Sequence, residues 1–218
     1  ASRQTLALDG QAAGIRNVGQ QAGALAAQAA ALAAELGPQT PPITPAGQPP
    51  LRDVRTTLPV ATGSVVPQRT LSAIRRIIVH HTVTSNDVTP ERLATAQIAR
   101  GQAGITYHFL VTGDGTIYWT QPLEAAIEQA LVNQVNADGI GIALAGNFQT
   151  AAPSAKQLDA AAALIAWLLG WLGLPVNAIF GRNEVDSRVA SPGAQWSQGV
   201  RYRDTLIAAV TAILAGAQ

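Results

Sequence analysis

Eight of the thirteen prolines fall in one stretch, residues 38–70, "PQTPPITPAGQPPLRDVRTTLPVATGSVVPQRT". Proline fixes φ and lacks a backbone N–H, so neither a helix interior nor a central strand can run through such a stretch. It divides the chain. The composition predicts an extended, partly polyproline-like linker over 38–70, with a separate segment before it and a domain over 71–218 after it.

The segment before it, residues 1–37, is rich in alanine, glutamine and glycine. From Ile15 its apolar residues advance in alternating steps of 3 and 4 through Val18, Ala22, Leu25, Ala29, Leu32 and Leu36, a coiled-coil seam. Gly37–Pro38 supplies a C-terminal stop. A helix of this kind buries its seam against another copy, making a homo-oligomer, or folds back onto its own domain. The long spacer points to self-association.

From Leu71 onward, strand-like and helix-like segments alternate. "IRRIIVHHT" reads as a strand, and "TPERLATAQIARG" as a helix with Thr89 as N-cap and Pro90 at its first position. "ITYHFLVTGDGTIYWTQ" reads as a hairpin turning at Gly113–Asp114–Gly115, and "PLEAAIEQAL" as a short helix or loop. "GIGIALAGNF" is a buried strand. A long helix follows, whose Ser154 and Gln157 fit a capping box. "NAIFGRNEV" is a last strand running into a loop, and the final helix carries Leu206, Val210 and Ile213 on one face. The order predicts an α/β fold with a mixed central sheet flanked by helices. The helices starting near Ser154 and Tyr202 are expected to cover the apolar strands on both faces.

Charged residues are 12% of the chain and the net charge is +1, which gives no footprint for nucleic acid or an anionic membrane. No apolar stretch reaches the roughly 18–20 residues that span a bilayer. With no cysteine, disulfides, thiolate metal sites and cysteine nucleophiles are excluded. With no methionine, the start at Ala1 is read as processed or trimmed. The chain has three histidines, and two of them, His80 and His81, stand together at a strand end.

The segments "LSAIRRIIVHHTVT", "GITYHFLVTGDGTIYWTQPLE", "NADGIGIALAGNFQTAAPSAKQLDAAAALIAWLL" and "GRNEV" followed by "SPGAQW" resemble, in that order, one family. It comprises the zinc-dependent N-acetylmuramoyl-L-alanine amidases and the peptidoglycan-recognition proteins that share their fold. The likeness covers roughly residues 51–205, with "LRDVRTTLP" resembling a lead-in segment of some bacterial members. It implies three protein ligands on one zinc and a water in the fourth position. The metal would activate that water and polarise the amide between muramic acid and the stem peptide.

Carried over by position, the resemblance places the first ligand at His80, the second at Arg182 and the third at Ser191. Adjacent strand residues face opposite sides, so His81 is expected to support by hydrogen bonding rather than to ligate. Tyr107 stands at the family tyrosine, with His108 turned away from it as a core or surface residue. Gln129 replaces a substrate-side histidine, and Arg188 is a loose counterpart of a catalytic lysine. An arginine repels a divalent ion, so two of the three ligand positions are vestigial and no zinc cofactor is expected. Rescue would need Asp186 or Glu184 to swing in.

What remains is a groove with Tyr107, His80, Arg182, Gln129 and Asn147 as candidate binding residues. Two functions compete: a module that binds peptidoglycan or another glycopeptide without cutting it, and a structural or assembly component displayed on the N-terminal helix. An active zinc amidase is the alternative. The resemblance implies an extracellular or cell-envelope location, or a place on a virus particle.

Overall fold

The computed structural model of the protein describes residues 47–216. The helix expected over 1–37, its self-association and the linker up to residue 46 lie outside the described residues. Six strands form one sheet: β1 (Arg52–Asp53), β2 (Arg76–His81), β3 (Phe109–Val111), β4 (Ile117–Trp119), β5 (Gly139–Leu144) and β6 (Ile179–Gly181). Their order is β1-β4-β3-β5-β2-β6. Neighbours run parallel except in the β3–β4 hairpin. The helices are α1 (Pro90–Ile98), α2 (Asn133–Asp138), α3 (Ala155–Leu172), α4 (Arg182–Val185) and α5 (Tyr202–Gly216). This is the mixed α/β architecture expected from the alternation.

Local chemistry sets the boundaries. Thr89 Oγ1 accepts from the Arg92 N–H at the start of α1, with Pro90 at N1. Ser154 Oγ accepts from Gln157 N at 3.1 Å and starts α3. Only half of the expected capping box forms, because Gln157 Nε2 donates instead to Val111 O and Ala145 O, tying α3 to the sheet. α3 ends at Gly173, whose φ of 64° suits a residue without Cβ.

The two faces of the sheet are covered differently. Ile77, Val79, Phe109, Val111, Ile140, Ile142 and Leu144 pack with the buried stripes of both α3 and α5 into one core. The expectation that these helices cover both faces is therefore corrected: they lie on the same one. α5 turns Leu206, Val210 and Leu214 inward, so Leu214 takes the buried place expected of Ile213. On the other face Leu110, Ala143 and Ala145 meet Leu93 and Ala94 of α1, and Ile78 meets Ala130 and Val135.

The linker boundary also moves. β1 joins the sheet edge beside β4, Leu58 is buried, and Arg55 lies 3.8 Å above the Trp119 ring. Arg69 reaches further in, donating to Leu123 O and Gly139 O, with its guanidinium packed beside the ring of His108. Burial lowers its pKa to about 10. Residues from about 51 to 70 thus belong to the domain: their prolines interrupt regular structure, while their apolar and arginine side chains find partners on the sheet. "GRNEV" differs as well, since it forms the one-turn helix α4 rather than a loop.

Candidate functional site

Placing His80 on the α1 side of the sheet brings it beside two groups from distant segments. Its ring centroid lies 5.2 Å from that of Tyr107. Its Nε2 lies 3.1 Å from Gln129 Oε1. Gln129 Nε2 is spent on Gly139 O at 2.7 Å, so Oε1 is the atom that faces His80. An amide oxygen only accepts, which makes His80 Nε2 the donor and leaves a lone pair on Nδ1. That Nδ1 is buried without a hydrogen-bond partner.

Gly141 makes this approach possible. A Cβ there would collide with Gln129 Oε1, while meeting His80 Nε2 only at ordinary contact distance. Burial, reinforced by Arg182, pushes the His80 pKa down to about 3, so the ring is neutral.

Above this floor is a cavity of about 590 Å³, bordered by Tyr107, Arg100, Asn147, Arg182, Ser191 and His81 among others. Arg182 comes from the first position of α4, directly after β6. Its Nε is buried without a partner, and it forms no ion pair among the described residues. No carboxylate borders this cavity among the described residues, whereas two arginines do. A narrower extension, bordered by Thr106, Glu128 and Gln129, shares Arg100, Tyr107 and Arg182 with it. Burial raises the Tyr107 pKa, so its phenol stays protonated at neutral pH.

His81 and Ser191 act mainly as stitches. His81 Nδ1 accepts from Phe148 N at 3.1 Å, the supporting contact expected of it. His81 nevertheless borders the cavity, because the opening wraps around the C-terminal end of β2. His80, expected in the groove, lies beneath it at 1% exposure. Ser191 Oγ accepts from His81 N, and Ser191 O accepts from Asn183 N, so this loop is sewn to β2 and α4. His108 is wholly buried: Nδ1 accepts from Gly141 N, and Nε2 faces Ala125 O at 3.0 Å.

The remaining candidates are spoken for. Arg188 does not border the cavity; its Nε lies 2.8 Å from Asp186 Oδ1. That hydrogen bond, the largest cause, holds the Asp186 pKa below the usual carboxylate range. Glu184 Oε2 accepts from Gly181 N and Trp196 Nε1, while Oε1 lies 3.3 Å from Arg203. Neither carboxylate is free to complete a metal site. Among the described residues no three His, Cys, Asp or Glu side chains come together as one. An imidazole, a guanidinium and a serine hydroxyl do not make a donor set for zinc.

Gln97, in the last turn of α1, and Arg100, two residues beyond its end, were not legible as site residues. Only the packing of α1 over this face brings them to the rim.

Residues 70–194 match the family described as N-acetylmuramoyl-L-alanine amidase, and the chain belongs to that family. It is 36% identical over 128 residues to a peptidoglycan-recognition protein of Drosophila melanogaster, covering 50% of this chain and 69% of the relative. Among solved structures it resembles the endolysin amidase LysCS of Clostridium intestinale, with 27% identity and a TM-score of 0.57 over 68% of this chain and 90% of the other. It also resembles bumblebee peptidoglycan-recognition protein SA, at 25% identity and a TM-score of 0.60 over 72% and 95% of the two chains.

Proposed function

We propose that this domain binds peptidoglycan, or a closely related glycopeptide, in the groove over His80 and does not hydrolyse it. One observation carries the reading: Arg182, a permanent cation with no acidic partner among the described residues, stands in the groove where the resemblance places a zinc ligand. A guanidinium there offers fixed hydrogen bonds to ligand carbonyls or carboxylates. Tyr107 adds a phenolic O–H, and Asn147 adds an amide at the rim. Nothing in this set activates a water as a metal would, because His80 is neutral, buried and committed to Gln129 through Nε2. The names of the relatives support the ligand class, since they include peptidoglycan-recognition proteins. A ligand of this class places the protein outside the cell, at an envelope, or on a virus particle that meets one.

Co-sedimentation with insoluble peptidoglycan, with assay of released peptides, tests this. The expected result is sedimentation with no peptide release, with or without added zinc. Arg182→Gln should weaken retention by about 10- to 100-fold, the value of a charged hydrogen bond. Chelator-sensitive release that disappears in His80→Ala would establish an active amidase instead. Failure to sediment at all would favour the structural or assembly role.

A further inference from the structure

A second cavity, of about 430 Å³, lies beyond the narrow extension of the groove. Its walls come from the proline-interrupted lead-in, Val65 and Val66, and from Ile105, Ala126 and Ile127. The lead-in is held in place by the Arg69 hydrogen bonds and by Ala126 N donating to Pro67 O. Val60 and Val65, at its mouth, are 61% and 87% exposed. The volume falls within the range of small-molecule sites.

Its chemistry is the reverse of the groove's. No Arg, Lys or His borders it among the described residues, and its one charged neighbour is Glu128. Gln102 and Asn133 also border it, and neither side chain forms a hydrogen bond with the described residues, so both amides are available to a ligand. Aliphatic walls with unspent amides at the rim select a neutral ligand with an alkyl body and an amide or hydroxyl end. They reject an anion. Gln102, Thr106 and Glu128 border both this cavity and the extension, so the two spaces adjoin.

We propose that this cavity is a binding site for a short neutral alkyl group bearing an amide, and that it accepts the apolar part of a ligand whose anionic part lies against Arg182 and Arg100. The first statement stands independently of the peptidoglycan reading; the second rests on it.

The test uses the full chain and three probes: hexanamide, acetyl-L-alanyl-D-glutamate and hexanoyl-L-alanyl-D-glutamate. Hexanamide should shift the amide resonances of Ile105, Ala126 and Ile127 saturably. The shifts should vanish in Ala126→Phe and be reduced in Ala103→Leu, Ala103 also bordering the cavity, so that the space is filled in two independent ways. Hexanamide shifts that are absent, or that survive in both filled variants while these remain folded, would overturn the site. The hexanoyl peptide should bind at least about ten-fold tighter than the acetyl peptide, as linked subsites require. Ala126→Phe should erase that gain and leave the acetyl peptide unchanged, whereas Arg182→Gln should weaken both. Equal affinities of the two peptides would overturn the linkage. Hexanamide binding without binding of the acetyl peptide would leave the cavity standing and remove the groove reading.

Discussion

The two faces of the central sheet are built on different principles. On the α3–α5 face, Ile142 and Leu144 of β5 meet Ile165, Leu169, Leu206 and Val210, all buried and apolar. On the other face the same strand presents Gly141 and Ala143, and polar groups fill the space: His80, Gln129 and His108. The first face is held by area, which tolerates drift. The second is held by hydrogen bonds between residues far apart in sequence, His80 with Gln129 and His108 with Gly141. Small residues in the strand are what make room for that network, and the groove sits on it.

The difference predicts a ranking of effects. The largest belongs to the apolar face: Leu206→Ala or Ile165→Ala should cost about 2–5 kcal/mol, the range for truncating a fully buried aliphatic side chain. Urea denaturation measures it, and under native conditions binding in the groove should be unchanged. A cost below about 1 kcal/mol would mean that this face is not the main support of the fold.

Next comes Gly141→Ala, which adds a single methyl to the polar face. It should cost about 1–3 kcal/mol, as overpacking does. It should also displace Gln129 and release the fixed tautomer of His80, visible in the histidine ring nitrogen resonances. If stability and the resonances stay as in the unaltered chain, the small strand residues are not what make room for the network.

The pH dependence is smaller and specific to the polar face. His80 and His108 have pKa values lowered to about 3 by burial, against an unfolded value near 6.5. Between those values the unfolded chain takes up protons that the folded chain refuses. Stability should therefore be flat above about pH 7 and fall as the pH drops from about 6.5 toward 3. The urea midpoint against pH shows it. In His80→Gln the slope through this window should be shallower, since one of the proton-refusing groups is gone. The smallest effect belongs to neither face: Arg201→Ala removes an exposed ion pair with Asp204 and should change stability by less than about 1 kcal/mol.

The same contrast explains what could be read from sequence. The strands around "RIIVHH" and "GIGIALAG", the hairpin at Gly113–Gly115 and the caps at Thr89 and Ser154 were legible because each is written in local periodicity or turn chemistry. That α3 and α5 share one face was not, since side-chain pattern does not say which side a crossover takes. The lead-in was hidden by its prolines: Leu58 and Arg69 have no periodic neighbours, and their partners lie far along the chain. In the site, Arg182, Tyr107 and Ser191 were legible through resemblance by position. Arg100 was not, because its place depends on how α1 packs. Gln129 was legible as a groove residue, but its role as the hydrogen-bond acceptor that fixes His80 follows only from Gly141 and Gly139 behind it.

We propose that Arg182 stands in for metal chemistry in this groove. Elemental analysis of the intact chain, dialysed against zinc and then against buffer, tests it most directly. No stoichiometric zinc should be retained, in the unaltered chain and in His80→Ala alike. One zinc held per chain, lost on His80→Ala, would contradict it and restore the amidase.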